Sequence, residues 1–525
     1  MPEFSRRSLL AGSAAVAAAG AIGVPASAEP TPGSPIDHRR IHRWTADTWA
    51  SLVAMTDETT GLTADNIGKS VRNPERSGYT SPTNIGGYLW STIVVRDLGL
   101  ISRGEANRRL SQTLRTLGRL DRHGPSGMFF NWYDERTGAV LHTWPTDGSP
   151  VYPFLSSVDN GWLAAALIVV SNAGDARVAR LAEQLLKPMN FKIYYDPNPP
   201  GRPPGGLLRG GFWPDKPPTP PDTVEGNYLG VGPNVFYTGF WYDTAVSETR
   251  IASYIGIARG QLPPVHYFAK WRTFPASCDW SWQEQQPVGT TRTYLGVDVF
   301  EGAYTYRGLR VVPGWGGSMF EALMPDVFVP EAQWAPRSWG LNHPLTVRAH
   351  REHGLDDAKY GYWGFSPSSD PAVVNGYREF GVDAIGLNPD GYFSDEEKTN
   401  YDAGFGTCRP ATAPNPTYVD GVVTPHASFL AMQHEARHAY DNLVKIEEEL
   451  GAYGDGGFFD AVAVRSRKIS ERYLSLDQAM ILGAIGNVFG GDIVRQAFCA
   501  GTIRRRIRPL IALEQFSAGI VGRPR

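Results

Sequence analysis

Three apolar stretches constrain the fold of this chain most, because each opens on a carboxylate. In FWYDTAVSETRIASYIGIARGQLP, Glu248 precedes Ile251, Ala252 and Ile255 at i+3, i+4 and i+7, the offsets of one helical face. In LSSVDNGWLAAALIVV, Asp159 precedes Trp162, Leu163 and Ala166, and in YLSLDQAMILGAIGN, Asp477 precedes Met480, Ile481 and Ala484. Each acid therefore faces the apolar side of its helix. A carboxylic acid held there resists ionisation, which suits a general acid near neutral pH. Each also fits a plainer role, a first-turn acid complementing the helix dipole. Ser157 and Ser475, two residues before Asp159 and Asp477, are the expected N-caps. Buried charge is costly unless compensated. A shared polar cleft at the helix N-termini accounts for all three acids at once; independent capping accounts for them one by one.

Helical periodicity recurs over residues 42–56, 81–98 with Pro82 at N1, 157–172, 176–188, 243–258, 318–325, 341–353, 425–450 and 472–489. Ser102 and Glu105 form a capping box for a helix running through Leu110, Leu114 and Leu117. Long irregular segments separate them: 122–156, 190–235, 272–316 and 355–424. Stretches such as GMFFNWYD with AVLHTWP read as short hairpins, and no fixed-period repeat is visible. Loops of this length inside a compact unit are usually functional. The expectation is an all-α core, a helical toroid with long loops and short hairpins at its cleft end.

The N-terminus carries a twin-arginine pattern, Ser5-Arg6-Arg7-Ser8-Leu9-Leu10, an Ala-rich apolar run and an A-x-A site at Ala26-Ser27-Ala28. Residues 1–28 are thus expected to be a signal peptide, 29–40 a Pro-rich linker, and 41–525 one catalytic domain. The apolar run is too short for a permanent membrane span, and no Cys follows the cleavage site. These features point to secretion or periplasmic delivery through the twin-arginine machinery without a stable membrane anchor. A net charge of -3, with no basic tail, argues against nucleic acid as partner. Cys278, Cys408 and Cys499 allow at most one disulfide among themselves and show no zinc spacing. The chain has 15 Trp, 23 Tyr and 23 Phe, many beside Gly and Pro, as in GFWPD, PGWGGSMF, CDWSWQ and YGYWGFSP. Such loop aromatics suit either loop packing or a surface that stacks on sugar rings.

SVDNGWLAAALIVV, YDTAVSETRIASYIGIARGQLP, GGSMFEALMPDVFV, YGYWGFSPSSDP, FGVDAIG, VTPHASFLAM and YLSLDQAMILGAIGN together resemble the glycoamylase-like bacterial proteins. That superfamily includes the endo-β-1,2-glucanases of glycoside hydrolase family 144 and the terminal domain of cyclic β-1,2-glucan synthases. The resemblance runs from about Trp44 to Asn487 and implies an (α/α)6 toroid acting on an oligo- or polysaccharide without a cofactor. It implies Glu248 as general acid and Asp477 as general base in an inverting hydrolysis, the acid acting through a substrate hydroxyl. Asp159 falls where the glucanases carry an acidic cluster. Trp162, Tyr242, Trp315, Glu321 and Trp363 are the candidate sugar contacts, with Glu321 also readable as a structural hydrogen-bond acceptor. SVDNGW and ARGQLP depart from the glucanase pattern, so the resemblance speaks more to glycoside hydrolysis than to one linkage.

His434-Glu435-Ala436-Arg437-His438 is a formal H-E-x-x-H, the motif of zinc proteases. No third ligand follows at a usable spacing, and the surrounding helix is amphipathic. The reading is therefore that no metal is bound, with a metalloprotease a distant alternative. A polysaccharide lyase and a non-catalytic glycan-binding protein remain alternatives on the same fold. The lyase would use Tyr, His and Arg around a uronate; the binding protein would dispense with the acids.

Overall fold

The computed structural model describes residues 35–521 except 73, 219–221, 275–282, 284, 388–417 and 419. The expected signal peptide, the first half of the linker (29–34), Cys278, Cys408, Trp280 and Trp282 lie outside the described residues. Among those described are thirteen α-helices: α1 His38–Met55, α2 Pro82–Asp97, α3 Arg103–Leu117, α4 Ser157–Ala173, α5 Ala176–Leu186, α6 Arg250–Ala258, α7 Met319–Leu323, α8 Glu331–Trp334, α9 Trp339–Glu352, α10 Pro425–Leu450, α11 Ser475–Val488, α12 Ile493–Phe498 and α13 Thr502–Ile511. None is long and apolar enough to cross a membrane.

Six of these helices follow one another in a ring. α2 packs on α4, α4 on α6, α7 on α10, α10 on α11, and α11 back on α2. α2, α4 and α11 are buried over most of their length, as expected of helices apolar all round. Small residues let them approach closely: a Cβ on Gly161 of α4 would lie 3.0 Å from Ala252 of α6, and one on Gly87 of α2 would lie 2.8 Å from Ala479 of α11. More amphipathic helices cover the outside, with α1 on α11, α5 on α4, α13 on α6 and α9 on α10.

One side chain ties α6 to α7 by hydrogen bonds. Arg250, at the first position of α6, is fully buried and donates to the carbonyls of Ser247, Glu321 and Ala322. Its other N–H groups grip Glu331 of α8 at 2.7 and 2.8 Å, and Glu331 also accepts from Tyr254. Burial pushes the Glu331 carboxyl up, but Arg250 and His343 outweigh it and hold it below the usual range. The guanidinium stacks 4.5 Å from the Trp339 ring centre.

The structure is not all-α. Five ring helices are each entered from a short strand: Leu155–Ser156 before α4, Trp241–Tyr242 before α6, Gly314–Trp315 before α7, Val422–Val423 before α10 and Tyr473–Leu474 before α11. α2 is entered from a bridge between Thr80 and Tyr133. The strands thus frame the N-terminal ends of the ring helices. Bridges Arg122 to Phe129, Tyr133 to Val140 and Thr143 to Pro150 form the expected short hairpins. A larger antiparallel sheet occupies the segment read as an irregular loop at 272–316. Val288–Tyr294 pairs with Val297–Tyr306, which pairs with Leu309–Val311, which pairs with Gly519–Ile520. Its turns are Leu295-Gly296 and Arg307-Gly308, with φ positive at all four residues. This is the two-residue hairpin turn that matches strand twist, and the flanking β-branched and aromatic residues were its sequence signal.

Removing one partner of a buried ion pair leaves the other charge uncompensated, at a cost of about 3–5 kcal/mol. Arg250→Leu should lose stability on that scale in chemical denaturation, whereas Arg348→Leu, at a partly exposed i,i+4 pair with Glu352, should lose about 0–1 kcal/mol. Equal losses would mean that Arg250 does not close the ring.

Candidate active site

The three carboxylates lie at the N-terminal ends of ring helices. Asp159 is the third residue of α4, 2 % exposed, and its N–H donates to the true N-cap, Ser156. Ser157, the expected cap, is already helical and gives its hydroxyl to the Gly210 carbonyl. The Asp159 carboxylate accepts from Thr83 of α2 at 2.5 Å, joining those two helix ends. Asp477 is the third residue of α11, and here too the expected cap, Ser475, sits inside the helix. The backbone N–H of Ser475 donates to the Asp65 carbonyl, and Asp65 accepts from Asn84 of α2.

Glu248 departs from its expected place. The helix predicted over 243–258 begins at Arg250, and Glu248 occupies the turn before it. α6 has no side-chain N-cap, so tertiary bonds hold its entry. The indole N–H of Trp162 donates to Glu248 Oε2 at 2.5 Å. The backbone N–H of Glu248 donates to Glu321 Oε2 at 2.6 Å. Trp162, Glu248 and Glu321 thus form one hydrogen-bonded group across α4, the turn before α6, and α7, and Asp159 lies three residues before Trp162 on the same face of α4. Glu321 has Ser318 as N-cap to its helix. Burial pushes the Glu321 carboxyl up to about 8, and Glu248 adds to the rise whenever it is ionised, so Glu321 holds its proton at neutral pH.

Around Asp477 stand His426 and Asp460, all three buried. His426, in the first turn of α10, places Nδ1 3.6 Å from Asp477 Oδ2. Asp460 accepts from the backbone N–H of Ser369 at 2.7 Å. Sequence reasoning missed His426 and Thr83. The signal for His426 was a histidine directly after the N1 proline of VTPHAS, in the same first-turn zone as the acids.

The proposed sugar contacts divide. Trp162 and Trp363 are 0 % and 1 % exposed, so neither presents a ring face to a ligand. Trp162 acts instead on Glu248, and the Trp363 backbone is tied to Asn442. The whole YGYWGFSP cluster is core: Tyr360, Tyr362 and Phe365 are buried with Trp363. Tyr242 and Trp315 are partly exposed, on the strands leading into α6 and α7. The H-E-x-x-H motif is split by non-helical geometry at Glu435, φ -134° and ψ 59°, which takes the two histidines off one regular face. His434 hydrogen-bonds Asp326 at 3.2 Å, Glu435 binds Arg351 at 2.7 Å, and the His438 side chain is 58 % exposed. Cys499 is a buried free thiol directed at the Phe328 carbonyl.

The Glycoamylase family model, described as putative glucoamylase, matches residues 290–500. The cyclic β-(1,2)-glucan synthase NdvB of Rhizobium meliloti (strain 1021) is 26% identical over 275 residues, 50% of this chain. Over these residues the chain is similar to the glycoamylase-like proteins. It spans only 8% of the length of that synthase. Among solved structures of glycoamylase-like fold, the endo-β-1,2-glucanase of Chitinophaga pinensis, in complex with sophorotriose and glucose, matches with a TM-score of 0.62 at 16% identity, covering 90% of this chain and 97% of that one. The endo-β-1,2-glucanase of Talaromyces funiculosus, in complex with sophorose, matches with a TM-score of 0.62 at 14% identity, covering 93% of this chain and 92% of that one. At these identities the shared property is the fold.

The folded chain binds the Glu321 proton up to about 8, against 4.5 for an ordinary glutamate. Between those values it holds more of this proton than the unfolded chain, so this contribution to stability is full below the lower value and lost as pH rises through the upper one. Glu321→Gln removes that loss. Its unfolding midpoint relative to wild type should therefore rise from about pH 5 to about pH 8.5. A constant difference over that range would contradict the raised value.

Proposed function

We propose that this chain is a glycoside hydrolase of glucans, of the β-1,2-linked class, built as an (α/α)6 toroid over residues 41–525. The observation that carries this reading is the grip on Glu248. Its side-chain Oε2 takes the Trp162 N–H from α4, so that Oε1 is the oxygen to carry a proton, while its peptide is fixed by Glu321 of α7. That places an acid in a set position at the strand-framed end of the ring. The solved endo-β-1,2-glucanases share the fold over nine-tenths of the chain, which supports the substrate class.

In this reading Glu248 gives its proton to the leaving glycosidic oxygen through a substrate hydroxyl. A water attacks the anomeric carbon from the opposite side, and Asp477 takes the proton that the water releases. The bond from the anomeric carbon to the leaving oxygen breaks as the bond to water forms. Tyr242 and Trp315 offer ring faces to the sugars. Glu321 carries a second reading as proton donor, because it is the carboxyl beside Glu248 that keeps its proton up to about 8. Asp159 is the candidate nucleophile of a retaining alternative. The twin-arginine pattern supports export of the folded enzyme to the periplasm or beyond.

Linear β-1,2-glucan with product analysis tests the reading. Glu248→Gln should fold and lose cleavage by about 10²–10⁴-fold, the usual contribution of acid catalysis. Glu321→Gln should retain more activity than Glu248→Gln; the reverse order moves the donor role to Glu321. An inverting site needs its carboxyl groups about 6.5–9.5 Å apart, against about 5–5.5 Å in a retaining site. The first product should therefore carry the anomer opposite to the substrate's. Retention in early NMR spectra would remove Asp477 as the water-activating base and turn attention to Asp159. Unsaturated product ends would mark a lyase.

A further inference from the structure

A hydrogen-bond chain behind Asp477 gives His426 a function that the proposed reaction does not yet use. The Thr424 hydroxyl has one proton, and it donates that proton to the Asp460 carbonyl at 2.7 Å. The same oxygen lies 2.8 Å from His426 Nδ1. Since the hydroxyl proton is already directed at the carbonyl, this second bond has the ring nitrogen as donor. His426 is therefore protonated at Nδ1, and the edge that carries this N–H stands 3.6 Å from Asp477 Oδ2. The proton of that N–H points at Thr424, and 3.6 Å exceeds a hydrogen bond, so the ring acts on Asp477 as a neighbouring dipole that favours the ionised form.

Burial makes the arrangement specific. Thr424 is 0 %, His426 1 % and Asp477 3 % exposed. They come from two elements: Thr424 and His426 from the entry and first turn of α10, Asp477 from the first turn of α11. The Asp460 segment is itself fixed, because the Asp460 carboxylate takes the Ser369 N–H.

We propose that His426 is the positioning residue of Asp477, with Thr424 setting its tautomer. This rests on the reading of Asp477 as the base that activates water. His426 touches neither substrate nor water in this role; its ring dipole favours the ionised form of the base.

Kinetics on linear β-1,2-glucan and the ring nitrogens of His426 test it together. His426→Ala should lower kcat about 10- to 100-fold, part of what base catalysis supplies, with KM changed less than about threefold. His426→Asn keeps an N–H near the Nδ1 position and should recover part of the loss. Thr424→Val should follow His426→Ala in direction, and Thr424→Ser should behave as wild type. In two-bond nitrogen–proton NMR spectra of the uncleaved, substrate-free enzyme, wild-type His426 should show a protonated Nδ1. A His426 ring protonated at Nε2 alone overturns the proposal whatever the enzyme cleaves. Wild-type kcat in His426→Ala alongside an inactive Asp477→Asn overturns it while leaving Asp477 as base. Wild-type cleavage by Asp477→Asn removes the base assignment and the role of His426 with it. Losses in His426→Ala and His426→Asn that are equal and matched by lowered unfolding midpoints overturn it in favour of a purely structural histidine.

Discussion

The buried Arg250–Glu331 pair is the interaction on which the rest of the structure depends. Taking a guanidinium and a carboxylate out of water is expensive, and the cost is offset only where geometry is good and the remaining donors are satisfied. Here two N–H groups meet Glu331, and others meet three backbone carbonyls. Those carbonyls belong to the turn that carries Glu248 and to the helix that carries Glu321. One side chain therefore closes the helical ring and sets the spacing between two carboxyl groups of the site. A nonpolar replacement could fill the volume; it would not hold three carbonyls in register. Stability and site geometry are coupled at this position for that reason.

Much of the helical framework was legible in the sequence because local rules and burial agree there. Ser81 with Pro82, and Ser102 with Glu105, mark helix starts that the structure keeps. Where local and tertiary forces compete, reading failed. α6 loses its predicted first turns because its entry is tied to Trp162 and Glu321, residues distant in sequence. Ser157 and Ser475 look like caps by type, but strands feeding the helices shift the start by one residue. The sheet at Val288–Val311 is legible in the sequence: two X-Gly turns, Leu295-Gly296 and Arg307-Gly308, lie between runs rich in β-branched and aromatic residues.

The site divides in the same way. The acids were legible because a carboxylate on an apolar face is an anomaly that sequence alone exposes. Their partners were not, since nothing in one strand of text pairs residue 162 with residue 248, or residue 426 with residue 477. The aromatic residues were misread in part because Trp and Tyr suit both a core and a sugar platform. Burial separated the two: Trp162 and Trp363 went to the core, while Tyr242 and Trp315 kept partial access to solvent.

The last sheet strand has a consequence for how the chain folds. Gly519–Ile520 completes the sheet on Leu309–Val311, and Glu514 supplies the carboxylate for Tyr267 and for the fully buried Arg272. Contacts so distant in sequence are slow to form, because loop closure must come first. A ribosome delivers residue 514 some 240 residues after Arg272, and until then that guanidinium lacks this carboxylate. Final consolidation of the α6 side of the ring thus waits until residue 514 has been made. Such an intermediate exposes apolar surface until Glu514 is in place, a window in which holding by a chaperone would matter most.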